Sequence, residues 1–420
     1  MRGLDRRHFL GLLGALGLAA CGHPFLKPNK AKVVVIGGGY GGATAARYLK
    51  QLDPTLEVTL IDKDPVYFSC AGSNEVVAGW HDLDWLSRSH QSLSATYGVR
   101  VIHALVSNID ASRRTIQLQD GTQLAYDRLV LSPGIDLRFD AIDGYDQTTS
   151  HIAPHAWKAG PQTLLLRDQI RSMRDGGVIM ITSPASPYRC PPGPYERASL
   201  IAHYLARHNP RAKVIILDAK TQFSKQALFM KGWQDLYPGK VEWISSAKEG
   251  QIDHIDAANR TVITEFNEHR ADVLNVIPPQ RAGDLAQKAG LTDASGWCPV
   301  DAISFESTLQ PNIHVIGDAC IATPMPKSAF AANSQAKICA AAVVAQLEER
   351  LPGMPSLINH CYSFLAHDYA ISINGVYEYA RNTKELFATA GGETPMAADR
   401  RREAEFARDW QRHIIEDSFL

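Results

Sequence analysis

The sequence has almost no net charge. Its 43 lysines and arginines meet 44 aspartates and glutamates, leaving −1. A surface without an excess of either sign offers no electrostatic basis for binding nucleic acid or an anionic membrane, so both drop out as partners. Long apolar runs are also missing. The opening run, up to Ala20, extends for about 12 residues, where a bilayer span needs ~20. Cysteine is sparse, seven in 420 residues, which excludes a disulfide-stapled scaffold. No Cys-x-x-Cys-His occurs, so the chain holds no c-type haem of its own. What remains is an ordinary globular composition, 45% hydrophobic and 21% charged, long enough for two or three domains.

The start, MRGLDRRHFLGLLGALGLAACGHP, resembles a twin-arginine export signal, with Arg6-Arg7 before the apolar run. LAAC, ending at Cys21, resembles a lipobox. The expected location is periplasmic, with membrane attachment only through a lipid on Cys21. Residues 1–29 are therefore set apart from the fold. An oxidising compartment permits disulfides, and Cys70, Cys190, Cys298, Cys320, Cys339 and Cys361 remain to form them.

After Lys32 comes VVVIGGGYGGATAARYLKQL. Val33 to Ile36 are β-branched and read as a buried parallel strand. Gly37, Gly39 and Gly42 then form a G-x-G-x-x-G turn opening a helix. The first glycine permits the tight turn, the second lets backbone approach a pyrophosphate, and the third allows close helix–strand packing. A second strand, LEVTLID, ends in Asp62, placed to bind a ribose hydroxyl. Near the far end of the chain, HVIGDACIA places Gly317-Asp318 after a short strand, Ile313–Ile316. That pair resembles the FAD signature of two-dinucleotide-domain flavoproteins, in which the aspartate holds the ribityl chain. YDRLVLSPGI (126–135) resembles the strand and turn that close the first FAD segment. FAD is the expected cofactor, and Val106 is expected among the residues lining it.

A second Rossmann-like unit is expected over 144–276. Strand Val178–Thr182, helix Tyr195–Arg207 and strand KVIILDAK (213–220) are present, but the phosphate-binding glycines are not. The intervening loop contains SPYRCPPGPYER (186–197), and prolines without N–H groups make a poor pyrophosphate cradle. NAD(P)H binding reads as lost, and Cys190 stands where a reductant would. Arg189 is placed to keep a Cys190 thiolate ionised. Glu196 is placed either to accept a proton or to sit as an exposed helix carboxylate.

These residues, with SCAGSNEV, HAWKAG, IPPQRAG, GWCPVD, MPKSAF and NHCYS, resemble the flavoprotein subunit of flavocytochrome c sulfide dehydrogenase over essentially the whole chain. The wider superfamily includes sulfide:quinone oxidoreductases and glutathione reductases. The resemblance implies an α/β fold: two Rossmann-like dinucleotide-binding domains and a small C-terminal α+β domain. The first would span 30–143 and 277–350, the second 144–276 and the last 351–420. It implies a covalent flavin link through Cys70 and a redox disulfide between Cys190 and Cys361; the sequence alone allows 15 full pairings of six cysteines. Sulfide is the implied substrate, and a cytochrome c subunit or soluble cytochrome, holding the haem, the implied electron acceptor. Cys298, Cys320 and Cys339 read as packing residues, although Cys339 departs from the family pattern and competes with Cys361 for a partner.

DYAISINGVYEYA alternates as a half-buried strand does, and the tail DRRREAEFARDWQRHIIEDSFL reads as a charged helix with an aromatic stripe. A quinone reductase of the superfamily would be expected to bring apolar amphipathic helices here. The tail is expected either to meet a protein partner or simply to dock on the core. Three rivals stay open: a sulfide:quinone oxidoreductase, a type II NADH dehydrogenase, and a flavin-binding scaffold without turnover.

Overall fold

A computed structural model describes residues 30–420. The twin-arginine pair and Cys21 lie outside the described residues. Three sheets organise the chain. In the first, five parallel strands stand in the order Ile313–Val315, Arg128–Leu131, Lys32–Ile36, Glu57–Asp62, Arg100–His103. Their near-continuous apolar runs fit a sheet covered on both faces; Val33, Val35, Leu60, Leu129 and Leu131 are fully buried. Helix Tyr40–Leu52 covers one face and packs against the alanine-rich helix Ala329–Leu347, whose small side chains let the two approach closely.

The second sheet has four parallel strands in the order Val241–Ser245, Lys213–Asp218, Val178–Ser183, Val273–Val276. Helix Gly193–His208 follows the central strand, as the sequence pattern predicts, starting two residues earlier because Gly193-Pro194 fit the first turn of a helix. The third sheet is antiparallel and pairs Ser356–Ala366, Tyr369–Ala380 and Glu385–Glu393. The fold is thus the α/β, Rossmann-like flavoprotein-reductase architecture, with an α+β C-terminal region.

The last helix, Arg400–Phe419, begins at Asp399, whose carboxylate accepts from the Arg401 and Arg402 amides. Ala404, Ala407, Gln411, Ile414 and Ser418 recur every three or four residues and are buried, so one face is turned inward. Phe419 packs edge-on against Tyr40 at 5.2 Å and stacks on Tyr67 at 5.6 Å. Tyr48 and Asn333 hydrogen-bond to Asp417, and Lys337 pairs with it at 2.7 Å. The tail is therefore docked on the first sheet's helices. Among the described residues no helix is long and apolar enough to cross a membrane.

Candidate active site

The carboxyl ends of the first sheet open into a cavity of about 1390 Å³, which the second sheet's proline loop and the C-terminal sheet also line. Typical small-ligand pockets hold ~300–1,000 Å³, so this one is of dinucleotide size. Gly37 and Gly39 line one end, where helix Tyr40–Leu52 presents its free amides. Gly37 turns with φ +94°, and a Cβ there would stand 2.2 Å from the Ser132 carbonyl oxygen. Gly42 does not reach the cavity. Its part in the motif is close packing: a Cβ at Gly42 would stand 1.8 Å from the Gly37 carbonyl oxygen. Overpacking of that kind costs about 1–3 kcal/mol, so Gly42→Ala is expected to retain flavin about tenfold or more less tightly. The flavin absorbance that survives gel filtration checks this.

Asp62 ends its strand at the cavity and accepts from the Gly38 amide at 2.5 Å. Val106 is a buried wall residue. Gly317 has φ +76° and donates its amide to Gln335 Oε1 at 2.8 Å. Asp318 caps nothing: its Oδ1 is buried without a partner, Oδ2 lies 3.9 Å from Arg189, and Lys327 bonds only its carbonyl. Burial raises the Asp318 carboxyl, and Arg189 and Lys327 offset part of the rise. An orphaned acceptor facing the cavity is what a polyhydroxyl chain would satisfy, so these residues fit FAD. Cys70 lines the same cavity, its Sγ 3.7 Å from the Trp157 carbonyl oxygen.

Beyond Asp318 the cavity ends at two thiols. Cys190 comes from the proline loop in a left-handed conformation, φ +57°, which costs a non-glycine residue about 1–3 kcal/mol. Its amide donates to the Lys327 carbonyl at 2.8 Å. Cys361 comes from strand Ser356–Ala366. Both thiols are free and line the cavity as neighbours, 171 residues apart in sequence, with Cys361 Sγ 3.6 Å from the Tyr362 carbonyl oxygen. The two thiols titrate as a pair: each shifts the other, burial raises both, and Lys225 pulls the pair down. Arg189, expected beside a Cys190 thiolate, turns its side chain to other partners. The Arg189 guanidinium is spent on the Trp157 carbonyl and Asp318.

Glu196 stands beside the thiols. Of its two sequence readings, the exposed helix carboxylate does not hold; its accessible part opens into the cavity. Oε2 accepts from Asn74 Nδ2 at 2.8 Å and Oε1 from the Phe364 amide at 2.9 Å. Burial nevertheless pushes its carboxyl up to about 7. Asn74 is locked, because its Oδ1 accepts from Arg197 Nε at 3.0 Å. Arg197, Lys225, Asn74 and Trp157 were not singled out from sequence. Asn74, Trp157 and Arg197 sit inside quoted motifs, SCAGSNEV, HAWKAG and SPYRCPPGPYER. Lys225 carries no local signal.

Cys298 and Cys320 are buried partners on neighbouring short strands, and Cys339 is buried in helix Ala329–Leu347. None lines the cavity. At the carboxyl end of the second sheet the side chains satisfy one another. Asp218 ends its strand as a ribose-binding acid would. Yet its Oδ2 accepts from Tyr195 at 2.5 Å and from Trp243 Nε1 at 2.9 Å, while Lys220 pairs with Oδ1 at 2.6 Å. Tyr195 stacks on Phe223 at 3.7 Å, closing the same corner.

Comparison with known proteins agrees with this geometry. Residues 31–161 match the family model for pyridine nucleotide-disulphide oxidoreductases. Residues 163–278 match the central region of the sulfide dehydrogenase (flavocytochrome c) flavoprotein chain, and 353–419 match the flavocytochrome c sulphide dehydrogenase flavin-binding model. The mitochondrial sulfide:quinone oxidoreductase of Mus musculus is 24% identical over 332 residues, covering 74% of this chain and 70% of that one. A sulfide dehydrogenase (flavocytochrome c) flavoprotein chain from Chlorobaculum thiosulfatiphilum is 49% identical over 45 residues, 11% of this chain and 94% of that sequence. Among solved structures, the sulfide:quinone oxidoreductase of Aquifex aeolicus superposes with a TM-score of 0.74 at 18% identity, covering 92% of each chain. The chain is an FAD-type oxidoreductase that belongs to the superfamily of sulfide-oxidising flavoproteins.

Proposed function

We propose that this protein oxidises sulfide at a Cys190–Cys361 disulfide and delivers the electrons through FAD to a c-type cytochrome. The observation that carries the reading is the thiol pair, brought together from two distant segments at the end of a flavin-sized cavity. Hydrosulfide attacks one sulfur of the disulfide; one S–S bond breaks and another forms, leaving one cysteine as a persulfide and the other as a thiolate. Gly37, Gly39, Asp62 and Asp318 would hold the flavin and Cys70 would tether it; when bound, it would supply two-electron uptake and one-electron release. Glu196, its carboxyl near neutrality, accepts the proton of the incoming sulfur species. With no haem motif in this chain, a partner must hold the haem. The twin-arginine start would place the reaction in the periplasm.

A quinone acceptor is the second reading, favoured by the sulfide:quinone oxidoreductases among the relatives. The docked, arginine-rich final helix favours the cytochrome. The test is an anaerobic titration of the purified flavoprotein. Sulfide is expected to bleach the flavin at about one equivalent, and NADH is not. Bleaching by NADH alone would overturn the proposal. Reoxidation of the bleached protein by cytochrome c, against a short-chain ubiquinone, then separates the two acceptors.

A further inference from the structure

Lys225 is a buried cation whose charge no carboxylate neutralises at contact distance. It stands just before helix Gln226–Leu236 in a left-handed conformation, φ +60°, with its side chain 1% exposed. Nζ donates to Ser363 Oγ at 2.8 Å and approaches the Cys361 carbonyl oxygen at 3.4 Å. Glu393 accepts from the Lys225 amide at 2.9 Å rather than pairing with the ammonium. Among the described residues no ion pair includes Lys225. A conformation costly to a non-glycine residue thus holds an ammonium beside the strand that presents Cys361.

We propose that Lys225 sets the redox poise of the Cys190–Cys361 couple by stabilising the ionised sulfur of its reduced form. This rests on the reading that the two cysteines cycle between disulfide and dithiol. Reduction consumes two electrons and one proton: the S–S bond breaks, Cys190 takes the proton as a thiol and Cys361 remains a thiolate. A disulfide whose reduced form is stabilised is a stronger oxidant, so a positive charge beside Cys361 favours opening by a small sulfur nucleophile. Cys361 faces Cys190 from the proline loop, Glu196 from helix Gly193–His208 and Lys225 from the turn. Glu393 stands behind Lys225, and Glu403 faces the adjacent His360. Of these, Lys225 is the cation, and its ammonium lies 3.4 Å from the Cys361 carbonyl oxygen. It is a positioning residue and does not meet the substrate.

The test equilibrates the flavin-loaded protein with glutathione buffers and counts thiols by alkylation and mass spectrometry. Lys225→Met is expected to shift the couple about tenfold or more toward the disulfide, which is about 30 mV, and Lys225→Arg to restore most of it. On the reduced protein, the pH midpoint for Cys361 alkylation should rise by about one unit or more in Lys225→Met. Glu393→Gln keeps an acceptor for the Lys225 amide and removes a negative charge, so it should move the couple the other way, about twofold. It also stands in if Lys225→Met does not fold. Unchanged poise in both variants overturns the role of Lys225 alone. A protein that forms no disulfide in any buffer overturns this proposal together with the reading beneath it.

Discussion

Cys190→Ser and Cys361→Ser are each expected to slow flavin reduction by sulfide at least about a thousandfold, with the flavin spectrum intact. A serine oxygen can neither form the disulfide nor leave as a stable anion at neutral pH, so the acceptor of the incoming sulfur is gone in both variants. The two residues act as one device, so the double variant should be no slower than either single one. The fold should survive, because both residues line the cavity and serine is no larger than cysteine. Cys339→Ala supplies the contrast. That thiol is fully buried and lies outside the cavity, so its loss costs packing while leaving sulfide reduction near the wild-type rate. Stopped-flow bleaching under anaerobic sulfide checks all four. A Cys190→Ser protein that bleached at the normal rate would mean that the electrons enter elsewhere.

Much of this site is legible in the sequence because its parts are local. Gly37-x-Gly39, the acid ending the next strand and Gly317-Asp318 each occupy a strand-to-turn junction, where a few adjacent residues fix the backbone. The proline loop is equally readable: removing the glycines and N–H groups removes the phosphate site. The partnership of Cys190 and Cys361 is not local. It depends on strand Ser356–Ala366 packing against helices Gly193–His208 and Ala329–Leu347, and no spacing rule encodes that; only family resemblance supplied it. The electrostatics are less legible still. Arg189 is adjacent to Cys190 in sequence, yet its guanidinium turns to the Trp157 carbonyl and Asp318. Lys225, 35 residues further on, reaches Cys361 because strand Ser356–Ala366 runs past it. Sequence adjacency pointed to Arg189, whereas the cation whose ammonium reaches the Cys361 backbone is Lys225. The tail shows a gentler case: it was readable as a charged helix with an aromatic stripe, yet the buried face runs through Ala404, Ala407, Gln411, Ile414 and Ser418 while Phe406 is exposed, and what that face covers was fixed only by Tyr40, Tyr67 and Asn333.

Glu196→Gln is expected to lower kcat/KM for sulfide by about a hundredfold or more and to remove a pH dependence centred near 7. In the wild type the carboxylate is the active form, so the rate of flavin reduction should rise as pH increases through about 7 and fall below it. The glutamine variant should be slow and flat across that range. A merely structural carboxylate would not give this profile. Its burial also makes a stability prediction of the opposite sense. The folded-state value near 7 lies above the ordinary carboxyl value of 4.5, so the favourable, protonated state is lost as pH rises between them. Glutamine mimics the protonated carboxyl: it offers one carbonyl where Asn74 and the Phe364 amide both donate, and Asn74 cannot rotate to compensate because Arg197 holds its oxygen. Near pH 4, therefore, the variant and the wild type should melt together. At pH 8 the variant should be the more stable, by about 1–2 kcal/mol after allowance for cavity water screening the charge. Melting curves at the two pH values, beside the rate profile, ask whether the protein holds a strained carboxylate for use on its substrate. Equal stability at pH 8 together with an unchanged rate profile would return Glu196 to the role of a helix side chain.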